Sequence, residues 1–94
     1  MKRGRYYRVS GRVQGVCYRA SVVDFVRKND LDLVGYVRNL SDGDVEVKAF
    51  GLVGELDQLE KYCWQGPPAS SVDKVSTEDL EWSDYYGDFK IDYS

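Results

Sequence analysis

The chain of 94 residues has no histidine, two cysteines, two prolines and no apolar run of membrane-spanning length. Without histidine, a Ser-His or Cys-His nucleophile pair, a phosphohistidine and histidine-ligated metal sites are excluded. Cys17 and Cys63 are too few for a secreted disulfide framework, and their spacing matches no zinc motif. The basic N-terminus is followed by no apolar segment, so no signal peptide is visible. We therefore expect a cytoplasmic protein that needs neither a metal nor another cofactor.

The length accommodates one domain, residues 1–94, around one core. Charge is distributed unevenly along it. Residues 1–39 hold nine Lys or Arg against three Asp or Glu, whereas residues 40–94 hold four against thirteen. Charged residues usually just cover a solvated surface, but a basic first half would also attract an anionic substrate.

Hydrophobic periodicity predicts the order strand, helix, strand, strand, helix, strand, with a short last strand. The predicted strands cover residues 5–13, 33–38, 45–50, 72–82 and 88–93; the helices cover 19–29 and the segment from 53 to the stop at 66–68. This order predicts an α+β fold, a ferredoxin-like split βαβ sandwich (βαββαβ plus a short C-terminal strand). Its two helices would lie on one face of a mainly antiparallel sheet. The core-facing residues expected in the second helix are Leu52, Leu56, Leu59 and Cys63.

Residues 11–19, Gly-Arg-Val-Gln-Gly-Val-Cys-Tyr-Arg, join the first strand to the first helix. Gly15 permits a sharp turn, and the amides of such a turn combine with the unpaired first amides of the helix into an anion site. Arg19 adds a planar cation that matches a phosphoryl group. Taken alone, the pattern is more often an ordinary strand-to-helix turn. However, a cation fits poorly at the positive end of a helix unless an anion binds there.

The predicted topology places Arg19 and Asn39 at one edge of the sheet, because a right-handed crossover makes the first two strands parallel. With the third strand between them, the gap is about 10 Å, enough for a phosphate and a water. Asn39 alone could simply cap its own turn, and Asp42 and Gly43 are expected to form that turn. The antiparallel second helix brings Cys63 toward Cys17. A disulfide between them is a hypothesis, and two buried free thiols are the favoured alternative.

The loop at 11–19, followed about twenty residues later by Gly-Tyr-Val-Arg-Asn at 35–39 and Asp-Gly-Asp-Val-Glu at 42–46, resembles the acylphosphatase family over roughly residues 5–93. Family members carry Gly or Cys at the position of Cys17, whereas Phe is usual where Tyr18 stands. The resemblance implies hydrolysis of small acyl phosphates to a carboxylate and inorganic phosphate. Arg19 would bind the phosphoryl group and Asn39 would orient the attacking water. The implied phosphate-binding loop consists of Gln14, Gly15, Val16, Cys17, Tyr18 and Arg19.

The chemistry of an acyl phosphate suits a site without histidine. Its leaving group is a carboxylate with a pKa of about 4, which departs unprotonated at neutral pH, so a general acid is dispensable. In a loose phosphoryl-transfer transition state, positioning and charge stabilisation do most of the catalysis. Acetyl phosphate, carbamoyl phosphate and the glycolytic acyl phosphate all remain open as substrates. We expect a monomer whose partner is this small molecule, with no membrane or nucleic acid involved.

Two alternatives remain open at this point. The same fold serves single-stranded RNA recognition through an open sheet face, although the third strand lacks the sequence pattern of that family and the chain is acidic overall. The other alternative is an accessory domain that handles carbamoyl phosphate, as in hydrogenase-maturation carbamoyltransferases. Trp64 and Trp82 are expected to pack rather than contact substrate. The residues that could lie on an RNA-binding face are Tyr6, Arg8, Tyr36, Arg38, Lys48 and Phe50.

Overall fold

A computed structural model describes residues 1–93 and confirms the predicted fold class. The elements are β1 (Lys2–Arg12), α1 (Tyr18–Lys28), β2 (Val34–Asn39), β3 (Val45–Leu52), α2 (Val53–Gln65), β4 (Ser71–Leu80) and β5 (Phe89–Ile91). β1 begins three residues earlier than predicted because it pairs with β3 from Lys2 onward. β5 is only three residues long, since its pairing with β2 is confined to that segment.

The five strands form one sheet in the order β4-β1-β3-β2-β5. β3 pairs antiparallel with both β1 and β2, so β1 and β2 run in the same direction. β5 pairs parallel with β2, with Val37 opposite Ile91. One edge of the sheet therefore holds the ends of β1 and β2, as predicted from the sequence. The residues that follow β5 lie at the same edge.

The core lies between the sheet and the two helices. α1 buries Val22, Val23 and Val26, and α2 buries its three expected residues Leu56, Leu59 and Cys63. The expectation for Leu52 is wrong, because its side chain is 44% exposed. Leu52 is the last residue of β3 and has an extended backbone, so the helical spacing does not apply to it.

Two buried tyrosine hydroxyls connect the rest of the core to α2. Tyr7 donates a hydrogen bond to the backbone carbonyl of Leu56 at 2.8 Å, and Tyr18 donates one to the carbonyl of Cys63 at 2.7 Å. The second bond has a specific cause in the sequence. In an α-helix the amide four residues on would donate to the Cys63 carbonyl, but that position is Pro67, which has no N–H. Tyr18 supplies the missing donor.

The sheet face away from the helices carries a polar cluster centred on Glu46, which is 5% exposed. Its carboxylate accepts hydrogen bonds from the Tyr6 hydroxyl at 2.6 Å, from the Tyr36 hydroxyl at 3.1 Å and from Arg38. Burial alone would raise the pKa of Glu46, but these hydrogen bonds and the Arg38 charge outweigh it and lower the pKa. Glu46 is thus held as an anion in the middle of this face.

Aromatic residues cover the neighbouring part of the same face. Phe50 is buried against Trp82, with ring centroids 6.3 Å apart, and against Tyr86 at 5.7 Å. Trp82 also carries the Lys2 ammonium 5.0 Å from its ring centre, so it packs as expected on one side while 42% of it stays exposed. Trp64, by contrast, is 49% exposed on α2. No helix within residues 1–93 is long and apolar enough to span a bilayer.

Candidate active site

The loop between β1 and α1 turns sharply through two residues with left-handed backbone conformation. Gly15 has a φ of 72°, and a Cβ added there would meet nothing within 4 Å. Glycine is therefore favoured at this position by the backbone angle and not by lack of space. Cys17 also has a positive φ, 63°, which costs a non-glycine residue about 1–2 kcal/mol. Backbone strain of this kind is common in functional loops. The left-handed conformation of Cys17 turns the chain into α1.

The first turn of α1 presents unsatisfied hydrogen-bond donors. The helix begins at Tyr18, and the first amide that bonds back is that of Ser21, to the Cys17 carbonyl at 3.0 Å. Within the described part of the chain no side chain caps these donors, and the first turn contains no acidic residue. The amides of the turn and the positive end of the helix dipole thus remain available to an anion.

Arg19 places a permanent positive charge beside these amides. Its guanidinium lies over the ring of Tyr93, with Cζ 5.2 Å from the ring centre, which holds the side chain by a cation–π contact. Among residues 1–93 no carboxylate forms an ion pair with it. Two sources of positive charge, the guanidinium and the helix terminus, therefore converge without an anion between them.

Asn39 carries an unsatisfied acceptor. It is the last residue of β2, and its Oδ1 is buried without a hydrogen-bond partner among the described residues. The following turn is capped by Asp42, whose carboxylate accepts from the Asp44 amide at 3.0 Å. The interpretation of Asn39 as the cap of its own turn therefore has no hydrogen bond to support it. A buried acceptor of this kind is costly unless a water or ligand donates to it.

These residues line one cavity of about 380 Å³. Of the predicted site residues, Gly15, Cys17, Tyr18, Arg19 and Asn39 are brought together there. Four further residues line the cavity that were not predicted from the sequence. Ile91 and Tyr93 belong to an alternation of apolar residues at 89, 91 and 93, but only the pairing of β5 with β2 brings them to the cavity. The four are Val13, Ala20, Ile91 and Tyr93.

Gln14 and Val16 belong to the predicted loop but do not line the cavity. The Gln14 side-chain amide donates to the carbonyls of Leu40 at 2.8 Å and Asp44 at 2.9 Å. It therefore fastens the loop to the β2–β3 hairpin immediately after Asn39. Val16 packs against the hydrophobic core. Both residues position the loop, and neither side chain faces the cavity.

The two cysteines are free thiols in different environments. Cys63 is fully buried, and this burial raises its pKa to about 12, so the thiol stays protonated. Cys17 is exposed at the edge of the cavity, which contradicts the expectation that both thiols are buried. Within residues 1–93 no group of three or more acidic or cysteine side chains is arranged to hold a metal ion.

Comparison with known proteins identifies relatives over almost the whole chain. Residues 5–91 match the family model described as Acylphosphatase. The chain is 40% identical over 87 residues to the acylphosphatase of Shewanella amazonensis, covering 93% of each chain. The acylphosphatase structure from Coxiella burnetii superimposes with a TM-score of 0.86 at 38% identity, covering 97% of this chain and 93% of the other. For the Bacillus subtilis acylphosphatase the TM-score is 0.87 at 33% identity, with coverage of 99% and 100%.

Proposed function

The chain belongs to the acylphosphatase family, and from this premise we propose how its own residues carry out the family's reaction. The activity is hydrolysis of an acyl phosphate to a carboxylate and inorganic phosphate. One observation carries the assignment of residues: the unpaired Arg19 cation and the unsatisfied Asn39 acceptor line the same cavity at the edge of the sheet. We propose Arg19 and Asn39 as the catalytic residues.

The phosphoryl group binds between Arg19 and the loop amides that precede it. The guanidinium is planar and always charged, so it can donate two parallel hydrogen bonds to phosphoryl oxygens. The unpaired amides at the start of α1 donate to the same group, and the helix dipole adds to the attraction. Because charge remains on these oxygens through a loose transition state, the donors stabilise it without having to move.

Asn39 positions the attacking water. Its Oδ1 accepts a hydrogen bond from the water, which satisfies the buried acceptor and leaves a water lone pair directed at phosphorus. The carboxamide is neutral over the whole working pH range, so it orients the water without acting as a base. The departing carboxylate needs no proton, since its pKa is about 4, and the reaction therefore requires no general acid.

We place the enzyme in the cytoplasm as a monomer that binds a small acyl phosphate and no nucleic acid. Residues of one chain line the cavity, so the proposed site needs no side chain from a second copy. The sheet face considered for RNA carries the buried Glu46 anion, and Arg38, the cation nearest to it, is already paired with that carboxylate. Neither feature favours binding of a phosphate backbone to this face.

The assignment is tested by phosphate release from acetyl phosphate, compared with release from a stable phosphate monoester. We expect Arg19→Ala to abolish nearly all turnover and to weaken inhibition by inorganic phosphate. Arg19→Lys should lose turnover as well, because the single ammonium charge of lysine cannot donate the two parallel hydrogen bonds of the planar guanidinium. The matched control is Arg27→Ala, an exposed arginine at the other end of α1, which keeps parental activity. Full turnover by Arg19→Ala would refute the role of Arg19.

Asn39→Ala separates water positioning from phosphate binding. Loss of one well-placed hydrogen-bonding group costs on the order of a hundredfold to a thousandfold in kcat. Inhibition by inorganic phosphate should stay within about twofold of the parent, because Arg19 and the loop amides are intact. If Asn39→Ala hydrolysed acetyl phosphate at the parental rate, the water-orienting role would be wrong.

A further inference from the structure

A second cavity, of about 500 Å³, lies on the sheet face away from the helices, between β2, β5 and the segment before β5. Four tyrosines dominate its lining, and we call it the tyrosine pocket. It shares Ile91 and Tyr93 with the active-site cavity, so the two cavities adjoin at the end of β5. The full lining is Gly35, Tyr36, Arg38, Tyr85, Tyr86, Lys90, Ile91, Asp92 and Tyr93.

Three of the tyrosine rings, those of Tyr36, Tyr85 and Tyr86, lie side by side as one wall of the pocket. The Tyr86 ring lies 5.9 Å from that of Tyr36 and 4.9 Å from that of Tyr85, and it stacks on Phe50 at 5.7 Å. Tyr36 is further held by its hydrogen bond to Glu46. Tyr85 is 82% exposed at the rim. Such a wall offers ring faces and edges to a planar group, the contact that aromatic pairs favour.

The same pocket contains hydrogen-bond donors that lack acceptors. Arg38 is paired with Glu46 through Nη2, but its Nε is buried without an acceptor among the described residues. Lys90 is exposed and forms no ion pair within residues 1–93. Asp92 also lines the pocket, and the pKa of Arg38 is raised chiefly by the Glu46 charge and to a smaller extent by that of Asp92. Donors beside ring faces suit a planar group that bears an acceptor, such as a carboxylate on an aromatic ring.

We propose that the tyrosine pocket binds the acyl part of the substrate and prefers an aromatic acyl group, above all one that bears a carboxylate. The inference rests on the proposed function. Tyr93 lines both cavities and its ring lies against Arg19, so an acyl group attached to a phosphoryl group at Arg19 would be directed past Tyr93 into the tyrosine pocket. Water oxygen bonds to phosphorus, the bond from phosphorus to the acyl oxygen breaks, and the aromatic carboxylate leaves with the electron pair, while both protons of the water stay on the oxygens of the phosphate formed. The products are inorganic phosphate and the carboxylate, and no other reactant is needed.

The test compares substrates within each variant, because aromatic and aliphatic acyl phosphates differ in intrinsic reactivity. We would measure kcat/KM for acetyl phosphate, benzoyl phosphate and 4-carboxybenzoyl phosphate. Tyr85→Ala removes an exposed ring at little risk to folding. It should lower kcat/KM about three- to tenfold for the two aromatic substrates, the effect of one lost ring contact, and leave acetyl phosphate within about twofold. The control Trp64→Ala removes an exposed ring elsewhere and should change none of the three.

Lys90→Gln tests the preference for the added carboxylate. It should lower kcat/KM for 4-carboxybenzoyl phosphate about threefold or more, and leave the values for benzoyl and acetyl phosphate unchanged. Equal effects on all three substrates, or no effect of Tyr85→Ala on any of them, would overturn the proposal. Failure of the proposed function is distinguishable, since then the parent protein itself would not hydrolyse acetyl phosphate.

Discussion

Replacing Tyr18 with Phe should destabilise the fold more than the equivalent change at Tyr7. Both hydroxyls are buried and both donate to a backbone carbonyl of α2. The carbonyl that Tyr7 contacts, at Leu56, keeps its helical donor, the amide of Glu60. The carbonyl that Tyr18 contacts, at Cys63, has a proline in place of that donor. Only the second substitution leaves a buried acceptor with no partner.

The expected magnitudes follow from this difference. A net hydrogen bond contributes about 0.5–1.5 kcal/mol, whereas a buried group left unsatisfied costs about 1–3 kcal/mol. Tyr7→Phe should therefore lower the free energy of unfolding by about 0.5–1 kcal/mol and Tyr18→Phe by about 1.5–2.5 kcal/mol. In a domain of this size, each kcal/mol shifts Tm by about 4–8 °C. Tyr18→Phe should thus lower Tm by roughly 6–20 °C.

Urea unfolding followed by circular dichroism measures both variants against the parent, with Tm as a second readout. The slope of unfolding free energy against urea should stay the same, because neither change alters the surface exposed on unfolding. The activity of Tyr18→Phe, measured well below its Tm, should be close to that of the parent, since the lost hydroxyl bonds to the Cys63 carbonyl and to neither Arg19 nor Asn39. If Tyr18→Phe were no less stable than Tyr7→Phe, the account based on Pro67 would be refuted.

Two further predictions concern the loop and the sheet. Gln14→Met keeps the length of the side chain but removes its hydrogen bonds to the carbonyls of Leu40 and Asp44, so the hairpin bearing Asn39 is displaced. We expect kcat on acetyl phosphate to fall about tenfold or more, while inhibition by inorganic phosphate changes little. A parental kcat would contradict this positioning role. Glu46 has a lowered pKa in the folded state, so its contribution to stability is present above its ordinary value of about 4.3 and is lost as the pH falls through the folded pKa. The unfolding free energy of Glu46→Gln, measured by urea from pH 6 to pH 2.5, should therefore depend less on pH than that of the parent. If the two proteins showed the same dependence of unfolding free energy on pH, the stabilising role given to the Glu46 anion would be wrong.

Local pattern was enough to predict the order of the elements and to place Arg19 and Asn39 at one edge of the sheet. Asn39 ends β2, Arg19 lies just beyond the loop that follows β1, and the handedness of the crossover places both at one edge. The roles of Gln14 and Tyr93 could not be predicted in this way. Gln14 acts through hydrogen bonds to carbonyls 26 and 30 residues away, and Tyr93 reaches Arg19 only because β5 pairs with β2. Such contacts depend on long-range register, which periodicity does not encode.

The residues that line the cavity come from three distant parts of the chain: the region from Val13 to Ala20, Asn39, and the pair Ile91 and Tyr93. The sheet around it relies on pairings such as Gly4 with Leu80, and a topology this rich in remote contacts folds slowly for its size. The cavity proposed as the active site is complete only once β5 has docked beside β2. During refolding, recovery of enzymatic turnover should therefore lag behind the return of helical circular dichroism, which makes activity a reporter of the last step of folding.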